Sequence, residues 1–423
     1  MRVLWLTNKV IPSVDAARGK QSATVNEGWI SQMFKQLCQI SDMSVTVVCG
    51  GDSINAEGKT DKFNWYTFSE NRREETFYSQ RITDLLVRIL SKEKPDIIHI
   101  WGSEYPHTLE MVDAAVTTGL AARVVISLQG LVSSCSLSYY SDLPWKIIVH
   151  KTLYDVLRSS GIRQVAEDFF HRGILEVKAL SQVKHCIGRT DWDYHSVKAI
   201  NPAIQYHKCN ETLRECFYTG AWDDQQCERH SIFVSQATYP IKGFHFMLQA
   251  LPTLLKAYPD THVYVSGKDL TSARRLMDRM KLSSYGQYLG RLIKENHLQE
   301  HVTFLGRLDA EQMKQQYLKA NVFVSCSSIE NSPNSVGEAM LLGTPVVSSD
   351  VGGVRSILKA PEEGLTYPWN SADALANAVI RVFDAPEEAM SRAHRARQHA
   401  LITHDAETNF SDLLRIYEEI HCN

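Results

Sequence analysis

Two carboxylates with seven residues between them, Glu330 and Glu338, flank the stretch Asn331-Ser332-Pro333-Asn334-Ser335-Val336-Gly337. Ahead of them, Asn321 to Ser325 is a short β-branched apolar run that reads as a buried parallel strand. Pro333 breaks the chain, and Asn334 and Ser335 are cap-type residues. A short helix is predicted from about Val336 to Leu342, closed by Gly343. Thr344 to Ser348 returns as another buried strand. The pattern is one βαβ unit. It brings two acids and the free N–H groups of a helix start together at the carboxyl end of a strand. Open α/β sheets bind ligands there, and a helix start favours phosphate. The competing reading is two solvated or capping carboxylates in an ordinary βαβ unit.

Other residues sit at similar places. Arg2 to Thr7 reads as a buried strand, followed by a polar loop over Asn8 to Asn26. A helix then opens at Glu27-Gly28, where Gly28 is either a close-approach glycine for a phosphate or a helix N-cap. Pro95 to Gly102 contains a strand ending at Trp101. The loop after it carries Glu104 and His107, which suit ligand binding or proton handling, or else capping and packing. Val124 to Leu128 is the next strand, with Gln129-Gly130 behind it. Gln129 has no basic site at neutral pH and can only exchange hydrogen bonds. Val183 to Gly188 leads into Arg189, whose guanidinium suits an anionic group. Asp191 and Asp193 beside it are equally well read as helix caps.

At 423 residues the chain is too long for one core, so two domains are expected. These are 1–205 and 230–407, joined by a linker over 206–229, with an amphipathic final helix in 408–423. Each is expected to be Rossmann-like, an α/β architecture. A net charge of -3 argues against general nucleic-acid binding. Nine scattered cysteines, an odd number without a Cys-x-x-Cys pair, suit a reducing cytoplasm. Met1 to Thr7 is a strand's worth of apolar residues and not a signal peptide. No run approaches the ~20 apolar residues of a membrane span. The sixteen histidines show no ligand spacing, so no metal site is read. Leu131 to Glu176 mixes Tyr139, Tyr140, Trp145, Ile147 and Ile148 with Lys146, Lys151, Arg158, Arg163 and Arg172. This is either a helical subregion packed in the first domain or an interfacial surface for anionic lipid.

Glu330, Glu338, the following Ala339-Met340, then Gly343-Thr344-Pro345-Val346-Val347 and Gly352-Gly353 resemble the donor-sugar motif of the large retaining GT-B glycosyltransferase family, group 1. The resemblance implies two Rossmann-like domains facing across a cleft, with the helix over 408–423 packing back on the first. The implied reaction is metal-independent, needs no cofactor, and moves a sugar from a UDP- or GDP-type nucleotide-sugar to a glycan or lipid-linked acceptor. In that family the first glutamate, here Glu330, faces the donor sugar, and the second, here Glu338, holds the ribose. Amides near Asn334 and Ser335 take the diphosphate. Lys242-Gly243 matches the phosphate-binding lysine, and the turn at Gly306 frames the base. The family's usual arginine is replaced by Ala237, with Arg189 or Arg307 as the candidate substitutes. Its Gly-Gly pair is reduced to Gly28 and its second His-x-His histidine to Trp101. Gln129 stands for a histidine near the reacting sugar. Glu104, His107, Trp101 and Gln129 are the acceptor or sugar candidates. A GT-B-shaped nucleotide-sugar epimerase and a non-catalytic nucleotide-sugar binder remain as alternatives. The expected place is the cytoplasm, peripheral to the inner membrane face, in surface polysaccharide or glycolipid synthesis.

Overall fold

A computed structural model describes residues 1–20, 28–272 and 281–422. The chain separates into two compact units: Met1–Ser134 with Asp168–Arg214 and Thr403–Asn423, and Cys135–Glu167 with Glu215–Ile402.

The first unit is built on strands β1 (Arg2–Thr7), β2 (Ser44–Asp52), β3 (Ala56–Lys59), β4 (Phe63–Ser69), β5 (Ile97–Trp101), β6 (Val124–Ser127), β7 (His185–Gly188) and β8 (Gln205–Lys208). Their order is β3-β4-β2-β1-β5-β6-β7-β8. Only β3 runs antiparallel, against β4. Alternation along β1 shows why the sheet is buried on both sides. Leu4 and Leu6 enter one core cluster, and Val3 and Trp5 enter the other, as a period of two requires. The last helix, Ala406–Cys422, closes the second of these cores. Its Tyr417 hydroxyl lies 2.8 Å from Trp5 Nε1 and 2.5 Å from His99 Nδ1.

The second unit has strands β9 (Glu228–Val234), β10 (His262–Val265), β11 (Val302–Phe304), β12 (Ala320–Ser325), β13 (Val346–Ser349) and β14 (Leu365–Tyr367), in the order β11-β10-β9-β12-β13-β14. All its pairings are parallel. Chain order runs outward in both directions from β1/β5 in the first sheet, save that edge strand β3 lies outside β4, and from β9/β12 in the second. Each sheet thus has a topological switch point, where loops diverge and leave a crevice.

Three expectations differ from the structure. The span 206–229 is not all connection. Most of β8 lies in it and extends the first sheet through β7, and its last two residues begin β9. Gln205–Lys208 is polar and only half-buried at the sheet edge, so it lacks the apolar run that marks an inner strand. Residues 135–167, expected within the first domain, group with the second unit. There His245 Nε2 meets the Ser141 carbonyl at 2.9 Å, and Asp155 accepts from Ser284 N at 2.8 Å. The opening loop expected over Asn8 to Asn26 contains a short helix, Pro12–Ala17, and its residues beyond Lys20, like Glu27, lie outside the described residues. Gly28 begins the helix Gly28–Leu37.

Candidate functional site

The second sheet's switch point gathers the loop after β9 and the loop after β12. A short 3-10 turn, Pro240–Lys242, ends at Gly243, whose φ is +67°. A Cβ there would stand 1.8 Å from the Cys326 carbonyl oxygen, so glycine lets the two loops touch. Ser328 N donates to Ile241 O at 2.8 Å across the same contact. These constraints bring Lys242 Nζ to 2.5 Å from Glu330 Oε1. Ser327 Oγ donates to the same oxygen at 2.6 Å. Burial works against the Lys242 ammonium, but the Glu330 charge and hydrogen bond outweigh it and raise the pKa above the ordinary lysine value. The side chains are 27% and 15% exposed, so the pair opens to solvent on one side. Behind it, Gly353 N donates to Glu330 O at 3.0 Å. Gly352, at φ +50°, comes so close that a Cβ would lie 1.9 Å from that carbonyl oxygen.

The helix Asn334–Leu342 begins beside this pair. Pro333 is its N-cap and supplies no side-chain hydrogen bond. Val336 N and Gly337 N reach Pro333 O, at 2.9 and 3.3 Å. The amides of Asn334 and Ser335 precede any intrahelical acceptor, so they are two of the donors that a helix start leaves over. Glu338 lies one turn into the helix and is buried. The Tyr317 hydroxyl is 3.2 Å from Glu338 Oε2 and 3.1 Å from the Ser335 carbonyl. Glu330, Lys242, Asn334, Ser335 and Glu338 therefore all belong to the two loops and one helix start at this switch point. Gly306, at φ +75°, sits in the turn after β11 and bridges Gly267, whose N donates to Gly306 O at 2.8 Å. Ser327 and Tyr317 were not expected. Ser327 is one serine among several in its loop, and Tyr317 reads as one more apolar position of the helix Ala310–Lys319.

The first sheet's switch point collects a different set. Asn8, after β1, donates from Nδ2 to Glu104 Oε2 at 3.3 Å, and its Oδ1 lies 2.9 Å from His107 Nε2. His107 Nδ1 is 2.9 Å from Glu70 Oε1. The His107 ring is fully buried with both nitrogens engaged, so it orients Asn8 and does not itself face a ligand. Glu104 is half-buried, and burial pushes its carboxyl above the ordinary value against the pull of Asn8 and Arg172.

Trp101, Gln129 and Arg189 line a small pocket at the carboxyl ends of β5, β6 and β7. Trp101 is almost wholly buried, with its ring stacked 4.1 Å from His99. His99 is itself held between Tyr417 and Ser127, and burial lowers its pKa to about 3. It is a neutral core residue. Arg189 is paired with buried Glu211 and donates to Leu128 O at 2.9 Å and to Gln129 Oε1 at 3.4 Å. Its charge is thus engaged inside the first unit. Asp193 forms a capping box with Thr190, which settles its role as a cap. In the second unit, Ala237 is buried and Arg307 is exposed beside Gly306.

Residues 225–399 match the family described as Glycosyl transferases group 1. An uncharacterized glycosyltransferase of Methanocaldococcus jannaschii is 32% identical over 164 residues, covering 38% of this chain and 37% of that protein. A phosphatidyl-myo-inositol mannosyltransferase of Mycobacterium leprae is 26% identical over 197 residues, covering 45% and 46%. The matched stretch thus spans less than half the length of these relatives. Among solved structures, sucrose-phosphate synthase from Thermosynechococcus elongatus superposes with a TM-score of 0.69 at 15% identity, over 100% of both chains. Anabaena HepE in complex with UDP and glucose gives 0.68 at 14% identity, over 99% of both. At such identities the likeness speaks to the fold, which is GT-B.

Proposed function

Because residues 225–399 form a group 1 glycosyltransferase domain, we propose that the chain transfers a sugar from a UDP- or GDP-type nucleotide-sugar to an acceptor hydroxyl, with retention of configuration and without a metal. The observation that carries this reading is the Lys242–Glu330 pair beside the helix start at Asn334 and Ser335, at the switch point of the second sheet. A diphosphate needs positive potential and N–H donors. One ammonium and the dipole of a short helix supply both once Lys242 turns from Glu330 to the phosphate. Glu330, turned to solvent on one side, accepts from hydroxyls of the donor sugar. Glu338 accepts from the ribose, with Tyr317 fixing its carboxylate. As the bond to the sugar breaks, charge builds on the terminal phosphate, and Lys242 stabilises it. The departing phosphate then takes the proton of the attacking hydroxyl. Gln129 and Glu104 are assigned to the acceptor, with His107, Trp101 and Arg189 positioning them.

We place the enzyme in the cytoplasm, peripheral at the inner membrane face, acting on a glycan or lipid-linked acceptor in polysaccharide or glycolipid synthesis. The Mycobacterium leprae relative, named for transfer to phosphatidyl-myo-inositol, supports a lipid-linked acceptor. UDP- and GDP-sugars incubated with the chain and a membrane extract should release nucleoside diphosphate, in the presence of a chelator as well. The product's anomeric proton coupling should match the donor's configuration. Inversion, or sugar isomerisation without an acceptor, would refute the assignment.

A further inference from the structure

The segment 135–167, which joins the second unit, turns apolar side chains outward. Its helix Leu153–Arg158 exposes Leu153 (53%), Val156 (60%) and Leu157 (74%), while its buried member is Asp155. That inverts the ordinary pattern, in which the apolar stripe of a helix faces the core. The helix is held by its polar side. Thr152 caps it in a reciprocal box with Asp155, and Asp155 also accepts from Ser284 N at 2.8 Å. The preceding helix, Trp145–Val149, buries Ile147 and Ile148 and exposes Trp145 (64%) and Val149 (42%), four residues apart and so on one side.

Basic residues edge both stripes. Lys146 follows Trp145 round its helix, Lys151 lies between the helices, and Arg158 closes the second; all three are exposed. The segment's three acids are Asp142, Asp155 and Glu167. Asp155 is buried in its cap, and Glu167 is paired with Arg163 at 3.0 Å. That leaves exposed Asp142 against outward Lys146 and Lys151, with exposed Arg158 at the end of the second helix. Exposed Trp and Leu beside Lys and Arg match the boundary of an anionic bilayer, where rings and aliphatic chains enter the acyl edge and cations stay with the headgroups.

We propose that these two short helices are the membrane-docking element of the second unit, and that their partner is a bilayer containing anionic lipid. The inference rests on the peripheral-membrane reading above and names the surface that performs it. Flotation of the full chain with vesicles tests it. Binding is expected to phosphatidylcholine mixed with phosphatidylglycerol, and to be far weaker on phosphatidylcholine alone. The triple variant L153S/V156S/L157S should lose most binding. Lys146→Gln, Lys151→Gln and Arg158→Gln together should weaken it ~100-fold, each cation contributing on the order of a fivefold factor near an anionic surface. All these positions are exposed, so the melting temperature should stay within a few degrees, and the variants' thermal unfolding checks this. If both variants float like the parent, this surface is overturned while the membrane reading stands. If the parent never floats, both fail. A concentration-dependent dimer abolished by the serine variant would mean that a second copy covers the face, and would overturn the lipid assignment.

Discussion

Lys242 keeps its charge despite burial because Glu330 stands 2.5 Å away. The same carboxylate is held by Ser327. Removing Lys242 therefore removes the cation proposed to meet the leaving group and leaves a half-buried acid with one partner fewer. Lys242→Ala should lower kcat by ~100- to 1,000-fold, the range for losing a preorganised stabiliser of developing charge. Steady-state release of nucleoside diphosphate measures this. A larger effect on KM than on kcat would mean that the lysine serves ground-state binding instead. Glu338 is expected to act on affinity. Hydrogen bonds to a charged group contribute ~1.5–3 kcal/mol, so Glu338→Ala should weaken nucleotide binding ~10- to 100-fold by calorimetry. Unchanged affinity would remove Glu338 from the ribose. That both acids and the lysine lie on loops at one sheet's carboxyl edge was legible in the sequence because their neighbours form a dense local pattern. Ser327 and Tyr317 were not, since a hydrogen bond across the fold leaves no trace in local spacing.

Helices and strands position these side chains through close backbone approaches, and those approaches make predictions of their own. Gly243→Ala puts a Cβ against the Cys326 carbonyl at a φ of +67°. A left-handed non-glycine residue alone costs ~1–2 kcal/mol, and the backbone clash adds to it. A loss of several degrees in melting temperature should accompany weaker nucleotide binding, because the Lys242 and Glu330 loops separate. Normal thermal stability in this variant would contradict the tight loop contact. In the first unit, Glu110 on the helix Pro106–Thr117 accepts from Ser79 N, at the start of the helix Gln80–Glu93, at 2.6 Å. Its other oxygen has no partner among the described residues. Burial pushes its carboxyl up to about 8. The native state therefore keeps a proton that the unfolded chain sheds near pH 4.5. This contribution to stability is complete below that pH and is lost as pH rises toward 8. Glu110→Gln should flatten the fall in melting temperature between pH 5 and 8, and an unchanged slope would assign that fall to other groups. Inner strands such as Arg2–Thr7 and Ile97–Trp101 were legible because burial on both faces leaves continuous apolar runs. The polar edge strand Gln205–Lys208 was not, because an edge needs no such run.

For the whole molecule, the two units differ most from expectation where the chain leaves one and enters the other. The run Ser133 to Ser141 is serine-rich but is followed by apolar helix-forming residues, and no linker rich in proline or glycine stands at Glu167. What ties 135–167 into the second unit is a set of long-range bonds, His245 to Ser141 and Asp155 to Ser284 among them. Sequence spacing does not carry such contacts. Two doubly wound units were legible through the repeated strand, loop and helix pattern in both halves, and GT-B through the motif resemblance around Glu330 and Glu338. Folding and ligand binding are linked as well. A nucleotide held by the native state alone, at a hundredfold excess over its Kd, adds ~2.7 kcal/mol of stability. UDP or GDP should therefore raise the melting temperature of the parent chain and fail to raise that of Lys242→Ala/Glu338→Ala.

The measurement that bears most directly on the central claim is a crystal structure of the chain with UDP or GDP bound. The expected result has the ribose hydroxyls on Glu338 and the diphosphate over the Asn334 and Ser335 amides, with its terminal phosphate within hydrogen-bond reach of Lys242. A nucleotide lodged elsewhere, with Glu338 still held by Tyr317 and Lys242 still closed on Glu330, would contradict it.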